Sequence, residues 1–313
     1  MSATGIGSLP GTDIREAVGE TFGELPDFPY LPELPDRGPG AEMIGRTAGL
    51  LVDLPVELYA GRWRVGSRPG ADLRRAHDLL ERDLDVLTER ADGYTGSLKI
   101  QSAGPWTLAA SVELALGAAI LRDHVGVRDL ADSLREGLTE HVAQVRRRVP
   151  GAEVYLQLDE PSLPAVLAGR VPTASGLYTY RAVPATTARE VLETFTESVG
   201  VPIIAHCCAP DAPLDLFREA GFAGLAIDLS QVDVLDPLGY AVDSGMLLLA
   251  GIPLADKDPA ARIQRLWKDL GFAPDKVSEV VVTPACGLAG VTPEQARAAI
   301  KACQDASRRL MSD

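Results

Sequence analysis

The feature that most constrains this 313-residue sequence is a repeated alternation of two kinds of segment. Short, nearly continuous apolar runs closed by turn residues are the mark of strands buried on both faces of a parallel sheet. They occur at residues 4–9, 50–58, 97–102, 153–158, 201–205, 224–227, 246–250 and 280–282. The second is the weakest, because Pro55 interrupts it. Between the runs lie helical stretches. Residues 72–92 and 128–148 carry apolar side chains at helical spacing, and 187–198, 214–220, 259–270 and 292–310 are shorter or better capped. Eight strands alternating with helices predict an α/β fold: a single (β/α)8 TIM-type barrel over 1–313, its site at the C-terminal ends of the strands. No repeat, linker or separate N-terminal domain is expected. The proline-rich stretch 25–40 is expected to be a surface loop able to cap the barrel mouth.

Composition narrows the partners. Thirty Lys+Arg against 44 Asp+Glu leave a formal charge of −14, which argues against a nucleic-acid groove. No basic start followed by an apolar leader opens the chain, and no apolar run approaches the roughly 20 residues needed to span a bilayer. The expectation is a cytoplasmic protein without a membrane partner. In a reducing compartment its four cysteines are thiols, metal ligands or nucleophiles before they are cross-links.

The unusual polar residues fall at the ends of the apolar runs. His206 and Cys208 follow the fifth, Asp228 ends the sixth, and Cys286 follows the eighth. A histidine near one cysteine is usually incidental, and a cysteine after a strand often just packs. It is Cys286, from another strand end of the same barrel, that makes the group a candidate. Imidazole and two thiolates form an N/S set suited to zinc, with a carboxylate or the substrate in the fourth position. Cys207 and Cys303 are expected to pack, and His77, His124 and His141 to lie on helix surfaces. In Asp159-Glu160-Pro161 one acid should face the mouth, where it could hold a substrate ammonium, while the acid before Pro161 caps a helix. Gly5-Ile6-Gly7-Ser8 is a small-residue turn whose backbone N–H groups could receive a carboxylate.

In this order, Gly5-Ile6-Gly7-Ser8-Leu9-Pro10, Gly104-Pro105-x-Thr107, Gln157-Leu158-Asp159-Glu160-Pro161, His206-x-Cys208 and Thr283-Pro284-Ala285-Cys286-Gly287-Leu288 resemble the catalytic domain of cobalamin-independent methionine synthase. The motifs run over nearly the whole chain, and the broader relatives are barrel methyltransferases and uroporphyrinogen decarboxylases. The resemblance implies a zinc site that takes up a thiol, homocysteine, and methylates it to methionine. Carried over by position, His206, Cys208 and Cys286 would ligate zinc, Asp159 would bind the substrate amine, Ile6-Gly7-Ser8 its carboxylate, and Glu57 would be a further substrate-binding acid. The sequence departs from the family at three points. Asp228 stands where the family has a glutamate ligand, the chain begins directly at the catalytic domain, and the loop 251–258 lacks the family's histidine. Without that histidine to protonate a folate leaving group, the donor is left open between methyltetrahydrofolate and a methylated corrinoid, including one on a corrinoid protein. Two alternatives stand beside this reading. One is a metal-free decarboxylase-like barrel acting on a porphyrin-type polycarboxylate through Arg46, Arg62, Arg64 and Arg68, unless these are solvated surface residues. The other is a non-catalytic zinc- or thiol-binding accessory protein.

Overall fold

The structure, a computed structural model, describes residues 3–312. A hairpin comes first, formed by β1 (Val56–Tyr59) and β2 (Arg62–Val65). Six parallel strands follow: β3 (Ser97–Ala103), β4 (Glu153–Asp159), β5 (Ile203–Cys207), β6 (Gly224–Asp228), β7 (Leu247–Ile252) and β8 (Val281–Pro284). They pair in chain order into one curled sheet. Helices cover its outer face, among them Ala71–Arg90, His124–Arg148, Ala185–Ser198, Pro259–Asp269 and Pro293–Ser312.

Two of the eight expected strands come out differently. Residues 50–58 do not enter the parallel sheet. Ala60 and Gly61 both take positive φ, the geometry of a two-residue turn between antiparallel strands, and the run folds onto β2 instead. Residues 4–9 are extended but bridge only at single points. Thr4 N–H donates to the Val282 carbonyl at 3.1 Å, and Leu9 N–H to the Glu33 carbonyl at 2.9 Å. Beside them runs the proline-rich stretch, joined to β3 where Leu31 N–H donates to the Lys99 carbonyl at 3.0 Å. Far from being a surface loop, it buries Phe28, Tyr30, Leu31 and Leu34. Pro29, Pro32 and Pro35 lack the N–H a continuous ladder needs, so the stretch touches its neighbours without forming a regular strand.

Strand alternation makes two cores. Leu98, Ile100, Leu156, Leu158, Ile203 and Ala205 face the helices. Ile6, Phe28, Tyr155, Ile204, Ala226, Leu249 and Val281 form a smaller cluster inside the curl. A helix at Ile14–Glu24, which the sequence pattern did not signal, opens on Asp13, whose carboxylate accepts from the N–H groups of Arg15 and Glu16. Its buried stripe is only Ala17, Val18 and Thr21, too narrow to read as amphipathic.

Candidate metal and substrate site

β5 ends in His206-Cys207, and its two-residue period sends the side chains to opposite faces. His206 turns into the curl, 3% exposed, while Cys207 packs in the helix-facing core. Cys208 follows the strand and Cys286 lies just beyond β8. Ligand atoms of His206, Cys208 and Cys286 all lie within 4.8 Å of one another. Donors around a tetrahedral zinc stand about 3.5 Å apart, so the three need to close by only about an ångström. His206 Nδ1 lies 3.0 Å from the Ala226 carbonyl. A carbonyl only accepts, so Nδ1 carries the hydrogen and Nε2 is left to bind a metal. Hydrogen bonds from Cys208 and His206 pull the Cys286 thiol down to about 4, against the effect of burial. Cys208 shifts upward, because its thiol donates to that anion. Burial opposes charge on His206, but its bond to Cys286 and the nearby Asp159 carboxylate outweigh this and raise its pKa. The donor set suits zinc: one oriented imidazole, one thiol pulled toward thiolate, and a second thiol that a bound metal would have to deprotonate.

Asp159, at the end of β4, pairs in register with His206 on β5. It is buried, which raises its pKa, and its Oδ1 accepts from Gln157 Nε2 at 2.7 Å. Gln157 Nε2 also donates to the Ile6 carbonyl at 2.9 Å, and Lys99 Nζ donates to the same carbonyl at 2.8 Å. Glu33 N–H takes the Gly7 carbonyl at 3.0 Å and Leu288 N–H the Ser8 carbonyl at 2.8 Å. The carbonyls of Ile6-Gly7-Ser8 are thus all spent inside the protein. Among the described residues, none accepts from the N–H of Gly7 or Ser8.

Other expected site residues lie elsewhere. Asp228 is not among the three grouped ligands. Its Oδ1 accepts from the N–H and hydroxyl of Ser230 at 2.8 and 2.7 Å, and it lines an outer cavity of about 500 Å³ with Arg189 and Leu214. Glu57, on β1, is engaged by Arg64 at 2.6 Å. Glu160 caps a helix, but not the one that follows it. Its carboxylate accepts from Trp106 N–H at 3.0 Å and from Thr107 N–H and hydroxyl, each at 2.7 Å, at the start of helix Pro105–Ser111. Burial pushes its pKa up to about 7 against these donors. The Gly104-Pro105-x-Thr107 motif is therefore the socket for Glu160.

Two expectations are corrected. His141 is buried, its Nδ1 without a partner among the described residues, and burial depresses its pKa to about 3. Arg46 is no solvated surface residue either. It is 4% exposed, donates to Asp83 at 2.6 Å and stands 3.8 Å from Glu33. Arg62 is matched by Glu113, and Arg64 by Glu57, so this arginine group is largely neutralised within the protein. The residues the sequence pattern missed are Lys99, Gln101, Gln157 and Glu33, all buried at the floor of the site. Their signal is a polar residue at every second position of an otherwise apolar strand, as in Leu98-Lys99-Ile100-Gln101.

No protein-family model matches the chain, and neither does any curated protein. Solved structures do. A B12-independent methionine synthase from Shewanella sp. W3-18-1, in complex with selenomethionine, superposes with a TM-score of 0.66 at 11% identity, covering 100% of this chain and 98% of that one. A methyltransferase from Methanosarcina mazei gives 0.62 at 14% identity, covering 98% and 93%. The likeness is one of fold. It spans both molecules almost end to end. No helix among the described residues is long and apolar enough to cross a membrane.

Proposed function

We propose that the chain is a zinc-dependent methyltransferase that moves a methyl group to a thiol, homocysteine, to give methionine. The observation that carries this is the convergence of His206, Cys208 and Cys286 beside Asp159, at the carboxyl ends of parallel strands. The methionine synthase and methyltransferase neighbours support methyl transfer on this fold. His206 Nε2, Cys208 and Cys286 would hold the zinc. The ion would keep a bound substrate thiol deprotonated at neutral pH, where a free thiol of pKa about 8.5 is mostly protonated. With Asp228 committed to Ser230, the fourth position is left to the substrate sulfur. Asp159 would receive the ammonium and the Gly7 and Ser8 N–H groups the carboxylate, fixing the sulfur for in-line displacement. Glu57 would reach substrate only by leaving Arg64.

The rest of the proposal follows from the same site. The chain is taken as one cytoplasmic domain whose extended segments 3–9 and 29–33 complete an eight-membered barrel wall. The loop after β7 offers Asp256, paired with Arg262, and Asp258, a helix cap, but no imidazole. A methylfolate amine needs a proton to leave; a methylated corrinoid does not. The donor proposed is therefore a methylated corrinoid, presented by a corrinoid protein.

Metal analysis of purified protein tests the centre. It should find about one zinc per chain, absent from a His206→Ala/Cys286→Ala double variant. Homocysteine methylation should then proceed from methylcobalamin and not from methyltetrahydrofolate. Zinc-free protein with undiminished transfer overturns the proposal, and thiol binding without transfer from either donor points to an accessory protein.

A further inference from the structure

Lys99 is fully buried inside the curl, yet it enters no ion pair among the described residues. Its ammonium donates to the Ile6 carbonyl at 2.8 Å, reaches Gln101 Oε1 at 3.5 Å and lies 5.2 Å from the centre of the Tyr30 ring. Burying a charge without a direct counter-ion is costly. The other buried charges nearby are matched: Arg37 and Arg46 against Asp83, with Glu33 beside Arg46. Lys99 has no such direct partner, and Asp159, which faces His206, is the carboxylate joined to it through hydrogen bonds.

They are held apart. Asp159 Oδ1 takes Gln157 Nε2 at 2.7 Å, Gln157 Nε2 reaches the Ile6 carbonyl at 2.9 Å, and Lys99 Nζ sits on that carbonyl at 2.8 Å. A lysine present only to neutralise Asp159 would bond to it directly. Instead one amide and one carbonyl separate the charges, and the carbonyl belongs to the peptide whose other end is the Gly7 N–H. In a trans peptide the N–H points away from the carbonyl. The ammonium therefore stands behind that peptide, strengthening a donor that no protein group uses.

We infer that Lys99 determines specificity for α-amino-acid thiols: with Asp159 it forms a split ion pair that complements the opposite charges of a substrate zwitterion, Lys99 acting on the carboxylate through the Ile6–Gly7 peptide. This rests on the thiol-binding function proposed above and adds to it the residue that demands a free carboxylate. Lys99 does not touch substrate; it is a positioning residue.

Calorimetric titration of zinc-loaded protein with L-homocysteine and with its carboxamide, which keeps thiol and amine but lacks the negative charge, tests it. Wild type should bind the acid at least about tenfold more tightly than the amide, the scale of one hydrogen bond to a charged group. Lys99→Met should lose about ten- to hundredfold in affinity for the acid, hold the amide nearly unchanged, and retain its zinc. Lys99→Gln, which keeps a donor for Ile6 without the charge, should lose the preference as well. Equal losses for acid and amide would mean a merely structural lysine and would overturn the inference. So would a wild type that binds the two equally. A wild type that binds neither overturns the thiol reading itself, a distinct result.

Discussion

Asp83→Ala should be among the most damaging single changes outside the site. Asp83 sits on helix Ala71–Arg90 with no exposed surface and accepts from both terminal guanidinium nitrogens of Arg37, at 2.6 and 2.8 Å, and from Arg46 at 2.6 Å. Removing one partner of a buried pair costs about 3–5 kcal/mol, mostly because the other charge stays buried and unpaired. Here Arg37 loses both bonds to its carboxylate and Arg46 is left with Glu33 at 3.8 Å, so about 4 kcal/mol, the middle of that range, is taken. Unfolding entropy of about 2.1 cal/mol/K per residue gives a chain of this length roughly 0.65 kcal/mol/K, and hence a fall in Tm of about 6 °C. Differential scanning calorimetry reads this directly. The triple change Asp83→Leu/Arg37→Met/Arg46→Met, which removes the three charges of the clamp together and leaves Glu33 to hold its proton, should recover most of the loss. A fall of under about 2 °C for Asp83→Ala, or a triple variant no better than the single one, would refute the view that this clamp holds Arg37 and Arg46 against helix Ala71–Arg90.

Glu33 gives a pH signature. Burial raises its pKa from 4.5 to about 7, so the folded chain keeps a proton that the unfolded chain releases. Its contribution to stability is full below about pH 4.5 and is lost as pH rises through about 7, up to about 3 kcal/mol in all. Urea unfolding of Glu33→Gln between pH 4 and 8 should show a flatter profile than wild type, and identical slopes would count against it. Gly137→Ala tests the packing of helix His124–Arg148. Alanine favours an exposed helix by about 1 kcal/mol, but here its Cβ would fall 1.7 Å from the Leu50 carbonyl oxygen, a backbone atom that cannot rotate away. Thermal unfolding should show a net loss above about 2 kcal/mol, and a stabilised variant would contradict that contact.

The strands most legible in the sequence are those buried on both faces and free of proline. The apolar runs at 97–102, 153–158 and 224–227 match β3, β4 and β6 to within a residue. The run at 201–205 ends two residues early, because β5 continues through His206-Cys207, where one side chain is polar yet still points inward. The burial of residues 29–33 was unreadable for a local reason: Pro29, Pro32 and Pro35 erase the ladder while the apolar side chains stay buried. The grouping of His206, Cys208 and Cys286 was legible because histidine and cysteine at strand ends are chemically conspicuous, and the curl brings those ends together. Glu160 was only half legible, since its acidity suggested a cap but its partners lie more than fifty positions earlier. Lys99 and Gln157 were hidden for the opposite reason. Each is one polar letter inside an apolar strand, and its meaning depends on the Ile6 carbonyl, which reaches it from the far end of the chain.

The seam between residues 3–9 and β8 also sets an order of events in folding. β3 to β8 pair strictly with chain neighbours, so that sheet can grow as the polypeptide emerges. The Thr4–Val282 contact joins the two extremes of the sequence, and its loop-closure entropy is met only once β8 exists. Cys286 follows that same last strand, so a nascent chain carries His206 and Cys208 without Cys286 until β8 has been made. Under the proposed function, zinc would therefore be held by all three only after β8 has been made, and amide exchange should be fast along this seam, which rests on single bridges.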